Sequence, residues 1–334
     1  MTIEETAAKA LLETESTVTL KPGYEGGNIS TTIGFKHVHY LIEAAVLQHF
    51  RRVGLGATEL YLTYGVNFDV TSYDSRLHTV LTLDDDVDFE VVPRTDERLA
   101  FTVVGSVRRG ARTTKAVTSR VEVRLRRDPN VAEPAPLPAA LDRFVVDRLA
   151  TAEPRPLRAT PVDNLSLTLG RGVHTDDDPV LQEIIGATNA FGWKWRIPYF
   201  YCHFTHHMQM SGFLRQMEEI LHLFVNARGI GIAHLLATRG WIPVVSECSL
   251  ELTDEALMEE DLYTVFTVED FFKDILYTSR MDCYVVRDRR LVLVATGHIT
   301  HGYVSKDSPE KDWKLCAFDD VVKRALRNEL AGAR

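Results

Sequence analysis

The sequence predicts an α+β protein in which one unit, an apolar helix followed by antiparallel strands, is built twice. Three observations carry this. Laid without a gap over residues 202–231, residues 27–56 place Glu43 on Glu218, Gly54 on Gly229 and Gly56 on Gly231, each pair 175 residues apart. Long runs alternating apolar and polar residues follow each helix, the pattern of half-buried antiparallel strands. Between the copies lies a proline- and alanine-rich stretch, residues 128–161, whose composition excludes a sheet interior and marks a linker.

The elements read in order. In the first copy "HYLIEAAVLQHFRRVGLG" carries Leu41, Ala44, Ala45 and Val46 at helical spacing and stops at glycine. Strand candidates follow at "LYLTYGVNFDV", "RLHTVLTLDDDVDFEVV", "RLAFTVVGSVRR" and "AVTSRVEVRLRR". The linker has room for one short helix at "LDRFVVDRL". The second helix runs from about Gly212 to Asn226, before strands at "WIPVVSECSLEL", "DLYTVFTVEDF", "TSRMDCYVVRD" and "RLVLVATGHITHGYV". After a small insertion "HTVLTLD" (78–84) matches "YTVFTVE" (263–269), and the tail "FDDVVKRALRNELAGAR" reads as a terminal helix. The expected organisation is a first domain over 1–127, a linker over 128–161, a second domain over 162–306 and a helical tail over 307–334.

Composition narrows the class. The chain has 334 residues, 45% hydrophobic and 25% charged, as expected of a globular soluble protein. A net charge of −9 argues against a nucleic-acid partner, and the basic texture of "VEVRLRRD" (121–128) reads as the solvated face of a strand. Four scattered cysteines without a C-x-x-C suit a reducing compartment. The acidic start lacks the apolar stretch of a signal peptide, and no run of 18 uncharged apolar residues crosses a membrane. A cytoplasmic protein is expected.

Chemistry concentrates in "YFYCHFTHHMQMSGFLRQMEEILHLF" (199–224), where His203, His206 and His207 crowd the start of the second helix. A zinc site is the weaker reading, because H-x-x-H-H lacks convergent cysteine or carboxylate spacing. His298 and His301, on a predicted strand, face opposite sides. His203 also has a bland reading, as a core histidine bonding a strand carbonyl. Glu43 is harder to read as structural, since a buried carboxylate on an apolar helix face is costly unless paired.

"HFTHHMQMSGFL" resembles the H-F-P-x-H-P-x-x-P-G-x-L motif of β-hydroxyacyl-carrier-protein dehydratases, and more closely the H-F-x-x-x-x-x-M-P-G-x-L of dehydratase segments in fatty acid and polyketide synthases. His203, Phe204, Met210, Gly212 and Leu214 match; Ser211 replaces the proline. Met217 stands where that family has its carboxylate, and Glu218 and Glu219 follow, about 100° further round the helix. The first copy, with Asn28 in the place of His203 and Glu43 on the helix, resembles thioesterases of the same hot-dog superfamily. The whole chain resembles its tandem form, a double hot-dog of two antiparallel sheets, each wrapping a long central helix, joined as a pseudo-dimer. The likeness spans most of 15–125 and 190–306.

The resemblance implies substrates held as thioesters on acyl carrier protein or coenzyme A, and sites formed between two hot dogs. Two pairings follow: His203 with Glu43, dehydratase-like, and Asn28 with Glu218, thioesterase-like. Dehydration is the first expectation, because a histidine near neutrality removes the α-proton and a protonated carboxyl expels the β-hydroxyl. Thioester hydrolysis by a helix glutamate with Asn28 is the alternative. An acyltransferase or decarboxylase using Tyr61 or Tyr64 from the following strand, or a non-catalytic acyl-binding module, is the minor one. Gly212, Gly34 and Phe35 are candidate backbone donors to the thioester carbonyl. Tyr40, His207 and Phe213 are candidate substrate contacts. No metal or cofactor is required. A carrier protein would want a basic rim, for which Arg51, Arg52 and Arg215 are placed. The pseudo-dimer is expected to act as a monomer or homodimer.

Overall fold

The computed structural model describes residues 2–94, 97–164, 172–174, 177–202, 205–306 and 314–329. The chain divides into two compact units, Met1–Leu149 and Ala150–Arg334.

The first unit runs α1 (Ile3–Glu13), β1 (Ser16–Leu20), α2 (Phe35–Arg52), α3 (Ala57–Tyr64), β2 (Val66–Leu77), β3 (Val87–Pro93), β4 (Leu99–Arg109), β5 (Arg112–Arg127), α4 (Ala139–Asp142) and β6 (Val145–Val146). Its antiparallel sheet has the order β1-β3-β4-β5-β2, and β6 adds to β5 in parallel. The helix α2 buries Val38, Ile42, Ala45, Val46 and Phe50. Spaced three and four apart, these make one apolar face. That face lies across β1, β3 and β4, where Phe50 meets the ring of Phe101 at 5.7 Å. Past Val53 the helix stops at Gly54, whose φ of 80° suits a residue without a β-carbon.

The second unit runs β7 (Arg155–Pro156), β8 (Val173–His174), α5 (Pro179–Ile185), β9 (Phe191–Arg196), α6 (Met210–Ala227), α7 (Ile232–Arg239), β10 (Trp241–Leu252), β11 (Asp261–Phe272), β12 (Leu276–Arg287), β13 (Arg290–Ser305) and α8 (Asp320–Leu326). The sheet order is β8-β9-β11-β12-β13-β10, with β7 on β13. Ahead of the sheet the chain is pinned by Lys194, which has no exposed surface. Its ammonium donates to Val162 O, Asn164 Oδ1 and Asp178 Oδ2 at 2.6, 3.0 and 3.3 Å and pairs with Asp261 at 3.4 Å. Asp178 also caps α5.

The repeat holds to the level of single bonds. α6 repeats α2, α7 repeats α3 and β10 repeats β2, each of the same length and displaced by 175 residues. The bulge between Val70 and Ser72 on β2 recurs between Val245 and Glu247 on β10. In the loops leading into α2 and α6, Gly34 N donates to Gly26 O and Gln209 N to Tyr201 O, while Ile33 N donates to Leu81 O and Met208 N to Ala256 O. By the last strand the displacement has grown to 178, β13 repeating β5.

Three expectations are corrected. Tyr61 and Tyr64 lie on α3 rather than on a strand, because Gly56 and Gly65, the latter at φ 64°, bound one short helix. The run 76–92 is two strands, β2 ending at Leu77 and β3 starting at Val87. Asp85 breaks it by accepting the amide of Thr82 at 2.7 Å and the guanidinium of Arg109. Residues 78–84 therefore form a connection, and the counterpart of β11 is β3. The short linker helix forms at Ala139–Asp142, earlier than expected, and the terminal helix spans Asp320–Leu326.

Candidate functional site

Glu43 sits in the middle of α2, one turn beyond His39. The residue is part-exposed, and its carboxyl makes no hydrogen bond or ion pair among the described residues. Desolvation pushes its carboxyl up to about 7. Solvent reaches the residue, yet enough protein surrounds the carboxyl to disfavour its charge. Such a group exchanges a proton near neutrality, as acid–base catalysis requires.

Buried polar side chains join this helix to its sheet. His39 Nδ1 lies 2.8 Å from the carbonyl oxygen of Phe35, which can only accept, so Nδ1 carries the proton. Nε2 then accepts from Ser75 Oγ on β2 at 3.0 Å, and Ser75 is 2.7 Å from Ser119 Oγ on β5. Burial lowers the imidazole to about 4, so it is neutral. Tyr73, also on β2, packs edge-on against His39 at 5.0 Å and donates to its carbonyl oxygen at 3.5 Å. Burial, then the charge of Glu43, raises the phenol well above its ordinary range. Ser75 and His39 have the contact of a nucleophile and its base, but they are 3% and 0% exposed, and no acyl carbon reaches them.

The open amides at the helix starts match the expected donors only in part. Gly34 N–H is taken by Gly26 O, and Gly212 N–H by Gln209 O. The first helical amides, Phe35 in α2 and Met210 in α6, make no hydrogen bond among the described residues. They lie at the electropositive end of each helix. Of the expected donors Phe35 thus keeps its amide open among the described residues, while Gly34 and Gly212 do not. Eight residues separate Phe35 from Glu43, about 12 Å along the axis. At that separation the two cannot serve one thioester carbon.

The other candidates are placed as follows. His203 lies outside the described residues, so its pairing with Glu43 is not described. Asn28 is exposed; its side chain accepts from Ile29 N and caps the turn before α2. Glu218, the repeat of Glu43, is part-exposed on α6, while Met217 is fully buried with Sδ 3.8 Å from Cys248 Sγ. His207 pairs with Glu255 at 3.3 Å and packs at a tilt against His206 at 4.1 Å, and Met258 N donates to His206 O. That ties the loop before α6 to the 254–260 loop and gives the histidine crowding a structural role. Phe213 is buried in the second core, and Tyr40 packs against His37 at 5.1 Å. Arg215 lies over the Tyr201 ring and Arg52 bonds Thr17 O. No metal-binding group of histidine, cysteine and carboxylates occurs among the described residues. On β13, His298 is exposed and His301 buried, as the alternation predicts.

The sequence singled out Glu43 but not Tyr73 or the buried His39, Ser75 and Ser119 that bond beneath its helix. The available signal was the spacing of His39 four residues before Glu43.

No protein-family model matches the chain, and no curated protein matches it. Solved structures do. A candidate oleoyl thioesterase from Lactobacillus plantarum matches at 12% identity and a TM-score of 0.56, over 87% of this chain and 95% of that one. The 12:0-ACP thioesterase of Umbellularia californica matches at 10% and 0.55, over 86% and 94%. An acyl-ACP thioesterase from Bacteroides thetaiotaomicron matches at 12% and 0.50, over 90% and 100%. At such identities the likeness establishes architecture. The chain has the α+β double hot-dog fold.

Proposed function

We propose that the chain hydrolyses acyl thioesters, with Glu43 as the carboxylate that activates water. The observation that carries this is Glu43 itself, free of hydrogen bonds and ion pairs among the described residues and poised to exchange a proton near neutrality. The ionised carboxylate takes a proton from water as the oxygen attacks the thioester carbon. The C–S bond then breaks, the electron pair leaves on sulfur, and Glu43 returns the proton to the thiolate. Neither a metal nor a cofactor enters.

The solved structures that match over most of the chain are described as thioesterases, two of them acting on acyl-ACP. That supports a fatty acyl group on a carrier protein as the substrate here. Dehydration is the weaker reading. The position of the dehydratase carboxylate is held by Met217, buried against Cys248.

Mass spectrometry of acyl- and β-hydroxyacyl-carrier thioesters, incubated with wild type and Glu43→Gln, tests this. Free acid and free carrier thiol are expected from wild type, with a loss of about 100-fold or more in Glu43→Gln. A carrier-bound product lighter by one water would move the assignment to a dehydratase.

A further inference from the structure

The second repeat is an internal control on the first. Where α2, β2 and β5 bury His39, Tyr73, Ser75 and Ser119, the same backbone positions of α6, β10 and β13 hold Leu214, Cys248, Leu250 and Gly297. The registers agree: Ser75 faces Ser119 as Leu250 faces Gly297, and Tyr73 faces Val121 as Cys248 faces Ile299. Met217, the repeat of Ile42, fills the space, its methyl 2.7 Å from where a β-carbon on Gly297 would stand. One backbone thus closes over either a polar or an apolar set, and the fold does not require the polar one.

Buried polar groups cost stability unless bonded, and a complete set costs side-chain freedom even then. The polar set joins one turn of α2 to its sheet. His39 O, which in a helix accepts the amide of residue 43, also receives the Tyr73 hydroxyl. His39 is held from the other side by Ser75, which Ser119 holds in turn. Tyr73 interacts electrostatically with both Glu43 and Tyr40. His49, the other buried imidazole of α2, bonds Leu11 O and Ser16 Oγ and so ties the helix to α1 and β1, a structural task. His39 reaches only the helix turn and the strands beneath it.

We propose that Tyr73, His39, Ser75 and Ser119 form a positioning network that fixes the turn of α2 carrying Glu43, which makes the first repeat the one equipped for catalysis. The proposal rests on the reading of Glu43 as the catalytic carboxylate. The network touches no substrate; it sets the direction of the carboxylate and places a phenol beside it.

The test transplants the residues of the second repeat into the first. The variant His39→Leu/Ile42→Met/Ser75→Leu/Ser119→Gly, and singly Ser75→Ala and Tyr73→Phe, are compared with wild type and Glu43→Gln for kcat, KM, their pH dependence and Tm. The expected result is a transplant of wild-type Tm whose kcat falls about 10- to 100-fold at nearly constant KM. With fewer polar neighbours for the charge, the rising limb of its pH profile moves upward. The single variants should show smaller losses in the same direction. A folded transplant with wild-type kcat and an unmoved limb overturns the network while Glu43→Gln is inactive. An active Glu43→Gln overturns the reading of Glu43 and the proposal with it. Should the transplant not fold, Ser75→Ala and Tyr73→Phe decide: unchanged kcat and pH profile in both refute the proposal.

Discussion

At Glu43 a helix face that favours apolar residues holds a carboxyl with no hydrogen-bonding partner among the described residues, and burial sets its proton affinity. Its ordinary value of 4.5 rises to about 7, so the folded state holds the proton more tightly than the unfolded chain. Stability is therefore full below the lower value and falls as pH rises through the upper one, by up to about 3 kcal/mol. Glu43→Gln should melt higher than wild type at about pH 8 and alike at about pH 4, a comparison thermal unfolding makes directly. In catalysis the sign is opposite: kcat/KM should climb with pH to a plateau, with its midpoint near the same value of about 7. His301 behaves in the reverse sense. Burial lowers it from 6.5 to about 3, with neither ring nitrogen bonded among the described residues. Its neutral form is compatible with the fold above the higher value, and stability drains away as pH falls through the lower one. His301→Phe should accordingly resist acid unfolding better than wild type. Glu43 was legible in the sequence because a carboxylate on an apolar stripe is costly to the fold and stands out against its neighbours. His39 and the serines were not: a helix histidine and alternating strand serines look like ordinary texture until the distances are known.

The two long helices were legible as elements, being apolar at helical spacing and ended by Gly54 and Gly229, both at positive φ. Their starts were legible only as a motif. Which amide is left over depends on the preceding loop, where Gly34 and Gln209 each spend their N–H on a residue eight positions back. Tyr61 and Tyr64 show the limit of alternation, since "LYLTY" also places Leu60 and Tyr64 one helical turn apart, both buried on α3. Lys194 on β9 was invisible for another reason: its partners at 162, 164, 178 and 261 converge only through the fold. Lys194→Met should destabilise the second unit by about 3–5 kcal/mol, because it leaves the buried Asp178 without its cation. Chemical denaturation would register this, and a loss near zero would show that the cluster relaxes or takes up water.

For the whole molecule, element order was readable from the repeat, whereas the drift from 175 to 178 residues had to be seen in strand pairing. That pairing shows which residues truly correspond, and it makes the asymmetry measurable. Glu43 and Glu218 occupy one place in two copies, but the first copy buries Tyr73 and His39 where the second buries Cys248 and Leu214. Glu218→Gln should keep turnover within about twofold of wild type, while Glu43→Gln abolishes it. Equal losses from both would mean two working centres. The apolar packing of the second copy also gives its divergence a direction. A lone imidazole at position 214, or a lone hydroxyl at 250 or 297, would enter the core without a partner at a cost of about 1–3 kcal/mol. A β-carbon on Gly297 would meet Met217 and the main chain at Ser249 besides. Only several coordinated changes would install the polar set, because each group alone is buried without its partner. Passage between the two sets would work like a ratchet, and the click is a methionine resting on a glycine.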